Sequence, residues 1–435
     1  MSEGLYWLEA LRDKIDNYEE VNILRNKKNV FSDNRYEINI LVYTESFLKE
    51  NEAIEFLKKA DELTGINIYF MPLISDEIEL SFETGKYRYC QEGVITSVIM
   101  NFKDCGSVVS MHRGVPNDIE DIEIYRLAEK SIINGQLVSD LFDYVVVKEN
   151  LANKDSCNIP VIRLEECRDI LRLFLVQRKQ FQISEHTSTD ETGYYIYKHK
   201  QLFSEFQNYW SAVCKNKALD DWADALDNRL ELMTICFDQC KIEAYKSQNN
   251  TMVMYLKYHL SHLLLLITGT FDNLAWIINN QYELKLHRMK IDLRGKDFKE
   301  AIKDRSLVIH EVLTDEETMA VIDAIRELRD RIVHRDFIKA IRGGKGNSNC
   351  ETSYFYIDKM AFGLLRDAGL PDEAVECLIS EAAFIEMNAF INFLETCTVS
   401  LVNRLLKVIA YEIYNANDTY EIWKLLGFAV EPYVL

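Results

Sequence analysis

Arg326-Glu327-Leu328-Arg329-Asp330-Arg331-Ile332-Val333-His334-Arg335-Asp336-Phe337 is the stretch that decides how the C-terminal half of this 435-residue chain is read. Just upstream and within it, Val321, Ile325, Leu328 and Ile332 recur at helical spacing and make one apolar stripe. Thr314-Asp315-Glu316-Glu317 fits a capping box, which would open the helix and let it run to about Ile341. At about 100° per residue, His334 falls about 180° from Ile325, on the solvent side of that helix. Asp330, four residues earlier, falls beside His334. A carboxylate there can bond one ring nitrogen, fix the tautomer and leave the other nitrogen free for proton transfer. Arg329 adds a permanent positive charge with a long reach, and Arg331 and Arg335 flank the pair.

Charge supports the same location. The stretch from Arg326 to Lys345 carries Arg326, Arg329, Arg331, Arg335, Lys339, Arg342 and Lys345 against Glu327, Asp330 and Asp336, a local +4 in a chain whose net charge is −20. So acidic a chain is excluded from broad, nonspecific nucleic-acid binding, because phosphate contacts need Lys and Arg. A nucleic-acid site here has to be a local basic island, and Arg326, Arg331, Arg335, Lys339, Arg342 and Lys345 are its candidate RNA-binding residues. Gly343-Gly344-Lys345-Gly346, next to them, is Gly-rich and basic but does not match a phosphate-binding P-loop and is expected to be a loop.

Outward from this stretch, the texture of the chain divides in two. With only 5 Pro and 16 Gly, long uninterrupted helices are favoured. From about residue 199 onward helical patterns dominate: 199–217, 219–247, a helix of about 30 residues on which Leu264, Ile267, Phe271, Leu274 and Ile278 share one face, a short helix over 357–367, and a long one after Gly369-Leu370-Pro371 to about Tyr414. This predicts an all-α bundle over 198–435. The polar run 184–197 reads as a linker. Before it, strand signals at 38–43, 66–71, 94–100, 108–109, 144–147 and 160–162 alternate with helix signals at 52–63, 119–135 and 165–178, and another helix is expected over residues 1–20. That alternation predicts an α/β domain over 1–183 with a largely parallel sheet.

The Arg-x4-His pattern, Arg329 to His334 with polar Asp330 directly after the arginine, resembles the signature of the HEPN superfamily of helical domains. Phe271-Asp272-Asn273-Leu274-Ala275 also resembles helices upstream of that motif in bacterial members. The similarity covers roughly residues 200–415, and only the motif is sharp. It implies a metal-independent endoribonuclease that acts as a homodimer with two motifs meeting at the interface. Arg329 and His334 take the catalytic positions and Asp330 the polar position, where Asn is commoner. No cofactor and no metal are implied. Bacterial members are common in toxin–antitoxin and anti-phage systems, so the resemblance also implies RNA as substrate and an antitoxin or regulatory protein as a further partner. Two alternatives stay open: a non-catalytic HEPN-like module that binds a nucleotide or a protein, and a metal-dependent nuclease centred on the N-terminal domain.

That last alternative rests on residues 136–166, which faintly resemble the end of a PIN-type nuclease domain. Such domains hold Mg²⁺ or Mn²⁺ with carboxylates at strand ends. Here the strand runs into Lys148, Glu149 and Asn150, and the first strand offers only Glu45, so no full carboxylate cluster assembles. The ten cysteines include no Cys-x-x-Cys pair. Cys236 and Cys240, one helical turn apart, are expected to be ordinary reduced thiols, and His259 and His262 lack a third ligand. No run reaches the roughly 18 apolar residues of a membrane span, and the first residues lack the pattern of a signal peptide, so the expectation is a cytoplasmic protein with no membrane contact.

Overall fold

A computed structural model of the chain describes residues 30–31, 35–42, 51–70, 86–91, 94–102, 106–116, 143–147, 161–184, 187–215, 221–246, 250–334, 339–344, 351–379 and 382–414. Cα proximity divides the chain into two compact units, one made mainly of residues 1–174 and the other of residues 175–343 and 353–433.

The N-terminal unit contains the expected parallel sheet. Strands β1 (Ile38–Val42), β2 (Ile66–Phe70), β6 (Tyr144–Val147) and β7 (Val161–Arg163) lie in the order β2-β1-β6-β7, with every pairing parallel. β6 is paired on both edges and its four residues are all buried, as the continuous apolar run Tyr144-Val145-Val146-Val147 requires of a central parallel strand. Helix α1 (Asn51–Asp61) crosses from β1 to β2, and α2 (Leu164–Gln177) follows β7. Leu57 of α1 and Ile170, Leu171, Leu173 and Phe174 of α2 are fully shielded. Asp143, just before β6, accepts from the Arg35 guanidinium and from the Asn39 backbone N–H at 2.8 Å, which pins the start of β6 to β1. The strand signals near residues 94–116 form a separate antiparallel sheet, β3 (Lys86–Gln91), β4 (Val94–Phe102) and β5 (Gly106–Pro116), in the order β3-β4-β5. The helices expected over 1–20 and 119–135, and positions Glu45, Lys148, Glu149 and Asn150, lie outside the described residues.

The C-terminal unit is mainly helical. It starts with a hairpin, β8 (Phe181–Ser184) and β9 (Thr187–Thr189), and α3 (Glu191–Leu202). Residues 184–197, read as a linker, thus supply the end of this hairpin and the first turns of α3. Asp190 caps that helix by accepting from the Gly193 N–H at 2.7 Å, and Tyr194 and Tyr195 are buried against the Phe181 ring. Three tyrosines, Tyr194, Tyr195 and Tyr197, at the end of a polar run carry no periodic signal, which is why a structured segment looks like a connector in the sequence.

Helices α4 (Ser204–Lys215), α5 (Asp221–Tyr245), α6 (Asn250–Gln281), α7 (Lys296–Lys303), α8 (Leu307–Thr314), α9 (Glu316–His334), α10 (Lys359–Asp367) and α11 (Met387–Tyr414) complete the helical set. α6 is long and apolar enough by length and composition to cross a membrane, but 67% of its most apolar window is buried inside the protein. It is a core helix, packed against α5, α9 and α11. Two ion pairs bury charge in this core, Lys198 with Asp238 at 2.5 Å and Lys241 with Glu395 at 2.6 Å, joining α3 to α5 and α5 to α11.

The unit is not all-α. Strands β10 (Lys339–Gly344), β11 (Glu351–Asp358), β12 (Val375–Ile379) and β13 (Ala382–Glu386) form a sheet in the order β10-β11-β13-β12. β11 and β13 pair antiparallel, with Phe355 opposite Ile385 and Ile357 opposite Ala383, all four buried on one face. This corrects two expectations. The helix through the basic stretch stops at His334, and residues 339–344 are strand. The long helix after Pro371 begins only at Met387, because Val375–Ile379 and Ala382–Glu386 form a hairpin whose period-two burial was read as part of a helical run.

Candidate functional site

Helix α9 positions the predicted catalytic residues. Its stripe behaves as expected: Ile322, Ile325 and Leu328 are essentially inaccessible, Val321 is buried, and Ile332 packs at the edge of the core. Burial of a side chain of this size contributes about 1.5–3 kcal/mol each, so the stripe fixes the helix's rotation against α6 and α10. The cap lies one residue later than the sequence suggested. Asp315, not Thr314, accepts from the Thr318 backbone N–H at 3.0 Å and from its hydroxyl at 2.7 Å. Those two bonds, helped by Arg404, hold the Asp315 carboxyl below its ordinary range. The Thr314 hydroxyl instead donates to the His310 carbonyl at 2.7 Å, closing α8.

His334 is the last residue of α9 and is exposed, with no hydrogen-bond partner among the described residues. Asp330 shares its helix face but does not bond to it. Its carboxylate accepts instead from Arg329 Nη1 at 2.8 Å, and both side chains are partly exposed. The end of α9 therefore presents an open imidazole next to a guanidinium–carboxylate pair.

The arginines expected to hold RNA are used differently. Arg326, only 17% exposed, donates to Asp272 on α6 at 2.6 Å and sits 3.6 Å from Asp292. Arg331, also 17% exposed, donates to Glu327 one turn back at 2.8 Å and to Asp358, whose other carboxylate oxygen caps α10 by accepting from Met360 and Ala361. Both guanidiniums fasten α9 to its neighbours. Lys339 and Arg342 lie on β10, and Arg335 and Lys345 lie outside the described residues.

One basic segment went unnoticed in the sequence. Residues 284–296, between α6 and α7, carry Lys285, Arg288, Lys290, Arg294 and Lys296 against a single acid, Asp292. A running charge count along the sequence is the signal that finds them.

Cys236 and Cys240 are free thiols on α5, and the Cys236 S–H donates to the His259 carbonyl at 3.1 Å. Among the described residues no group of three or more His, Cys, Asp or Glu side chains is placed to hold a metal ion. Comparison with protein-family models, with curated proteins and with solved structures found no match.

Proposed function

We propose that the C-terminal unit is a metal-independent endoribonuclease of HEPN type, working as a homodimer, with Arg329, Asp330 and His334 at its reacting centre. The observation that carries this reading is the exposed imidazole of His334 at the end of α9, which has no hydrogen-bond partner among the described residues and stands beside the Arg329–Asp330 pair. An exposed imidazole can take the proton of an RNA 2′-hydroxyl as that oxygen attacks the adjacent phosphorus. The P–O5′ bond then breaks, the 5′-oxygen leaves with a proton returned by the imidazolium, and a 2′,3′-cyclic phosphate remains. Arg329 would offset the charge that builds on the non-bridging oxygens. On an ideal helix Arg329 and His334 stand about 140° apart, so a second copy supplying its own motif brings the two groups to one phosphate. Growth arrest or anti-phage defence is the setting that the family resemblance suggests.

A second reading is favoured by one observation: Arg326, Arg329 and Arg331 each already bond a carboxylate, as expected of a purely structural helix end in a non-catalytic binding module. Inducible expression of wild type and His334→Ala separates the two. Ribonuclease activity predicts arrested growth and fragmented total RNA with wild type alone, unaffected by EDTA in the purified protein. Intact RNA with both proteins, including purified dimer incubated with RNA, would favour the binding module.

A further inference from the structure

We infer that the loop 284–296 is a binding track for the phosphates of single-stranded RNA, feeding the strand toward His334; this rests on the ribonuclease reading and names where its substrate is held. The loop is a built platform. Leu284 N–H donates to the Asn279 carbonyl at 2.9 Å and Leu286 N–H to the Asn279 side chain at 3.1 Å, while Leu293 and, just beyond, Phe298 are fully buried beneath it. Asp292 makes the next turn by accepting from Arg294 N–H at 3.0 Å. Glu283 and Lys285 hold left-handed backbone angles, φ +52° and +54°, which direct the chain outward. At the tip a single turn, Arg288–Lys290, is capped by His287.

What this platform displays is cationic and open. Lys285 and Arg288 are exposed and have no partner among the described residues, and the exposed His287 ring accepts only from the Met289 N–H within its own turn. Lys290 and Arg294 are exposed too; Lys290 shares the exposed Asp297 carboxylate at 2.8 Å, and Arg294 lies 3.6 Å from Asp323 and 3.7 Å from Asp292. Met289, 78% exposed between two cations, offers an apolar contact to an unstacked base. The loop therefore differs from the arginines of α9, which are held in ion pairs.

Position links the loop to the motif. It touches α9 at Asp323, through Arg294, and at Arg326, through Asp292. At about 100° per residue, Asp330 and His334 each fall within about 20° of Asp323, and Arg326 within about 60° of it. The loop thus meets the face that carries His334, and Arg326 stands about 12 Å below it along the helix axis. A strand bound on Lys285 and Arg288 lies along the approach to the imidazole. An anionic membrane is the poorer fit, since Met289 is the one large apolar side chain at the tip.

The test uses the full chain and a 5′-fluorescein uridine 12-mer made with 2′-O-methyl groups, which binds but lacks the attacking hydroxyl. Lys285→Asn with Arg288→Gln removes two charges while keeping a residue that tolerates a left-handed angle. Arg366→Ala with Lys407→Ala removes the same charge elsewhere. Fluorescence anisotropy is expected to show at least a 10-fold loss of affinity for the loop variant, with the salt slope shallower by about 1.4 for two lost phosphate contacts, and less than 2-fold for the control. Equal binding by wild type and loop variant overturns the inference, even if wild type cleaves unmodified RNA and the ribonuclease reading stands. Loop-dependent binding with no cleavage of unmodified RNA by wild type keeps the track and removes the ribonuclease. Failure of wild type to bind the 12-mer, with or without capture by phosphatidylserine vesicles, also overturns it.

Discussion

The stretches 326–345 and 284–296 each carry a net +4, yet their described cations are placed differently. In the first, Arg326 and Arg331 are mostly buried and each meets two carboxylates. In the second, Lys285 and Arg288 face solvent without a partner among the described residues. The difference teaches that a count of cations is not a count of available cations. Acidic neighbours far away in sequence, Asp272 and Asp358, decide which guanidiniums remain open.

Substitutions at single positions test this contrast. The largest effect is expected at neither arginine set. His334→Ala should lower RNA cleavage by about 10²–10⁴-fold while leaving the thermal midpoint unchanged, because the side chain is exposed and general acid–base help is worth that much. A mutant that still cleaves at wild-type rate would move the chemistry away from α9. Next is Arg331→Ala. It should cost about 1–3 kcal/mol of stability in urea unfolding, since Glu327 is left partly buried and Asp358 loses its cation. Arg326→Ala is the sharper control: about 1 kcal/mol of lost stability, with affinity for the 2′-O-methyl 12-mer within about twofold of wild type. If Arg326→Ala weakened RNA binding as much as the loop variant, the two basic stretches would be one surface.

The smallest effect concerns the cap of α9. The Asp315 carboxyl titrates below its ordinary value when folded, so its contribution is present above the unfolded value near 3.8 and is lost as pH falls through the lower folded value. Thermal midpoints followed from pH 5 to pH 2 should therefore drop more in wild type than in Asp315→Asn, which keeps a capping oxygen but cannot titrate. Parallel curves would mean that Asp315 adds nothing through its charge.

Much of the fold was legible where one physical signal dominates. The apolar runs Ile38–Val42, Ile66–Phe70 and Tyr144–Val147 read as strands of a parallel sheet, and the stripe through Ile325 and Leu328 reads as a helix facing a core. The sheet β10–β13 was not legible. Val375–Ile379 and Ala382–Glu386 are five residues each, too short for alternation to outweigh the strong helical pattern that follows from Met387. The position of His334 on a solvent face was legible from helical geometry, but the bonding of Asp330 was not. A helical wheel places Asp330 about 40° from His334 and about 100° from Arg329, and only the three-dimensional side-chain positions show the carboxylate with the guanidinium.

Asp358 serves two helices at once, accepting from Arg331 near the end of α9 and from the Met360 and Ala361 amides at the start of α10. Fraying of either terminus removes a partner from the other, so the two ends should open as one cooperative segment. In native-state hydrogen exchange, the amides of Met360 and Ala361 should share an opening free energy with those of the last turn of α9, and that turn, with its histidine, should be held more firmly than its exposed position suggests.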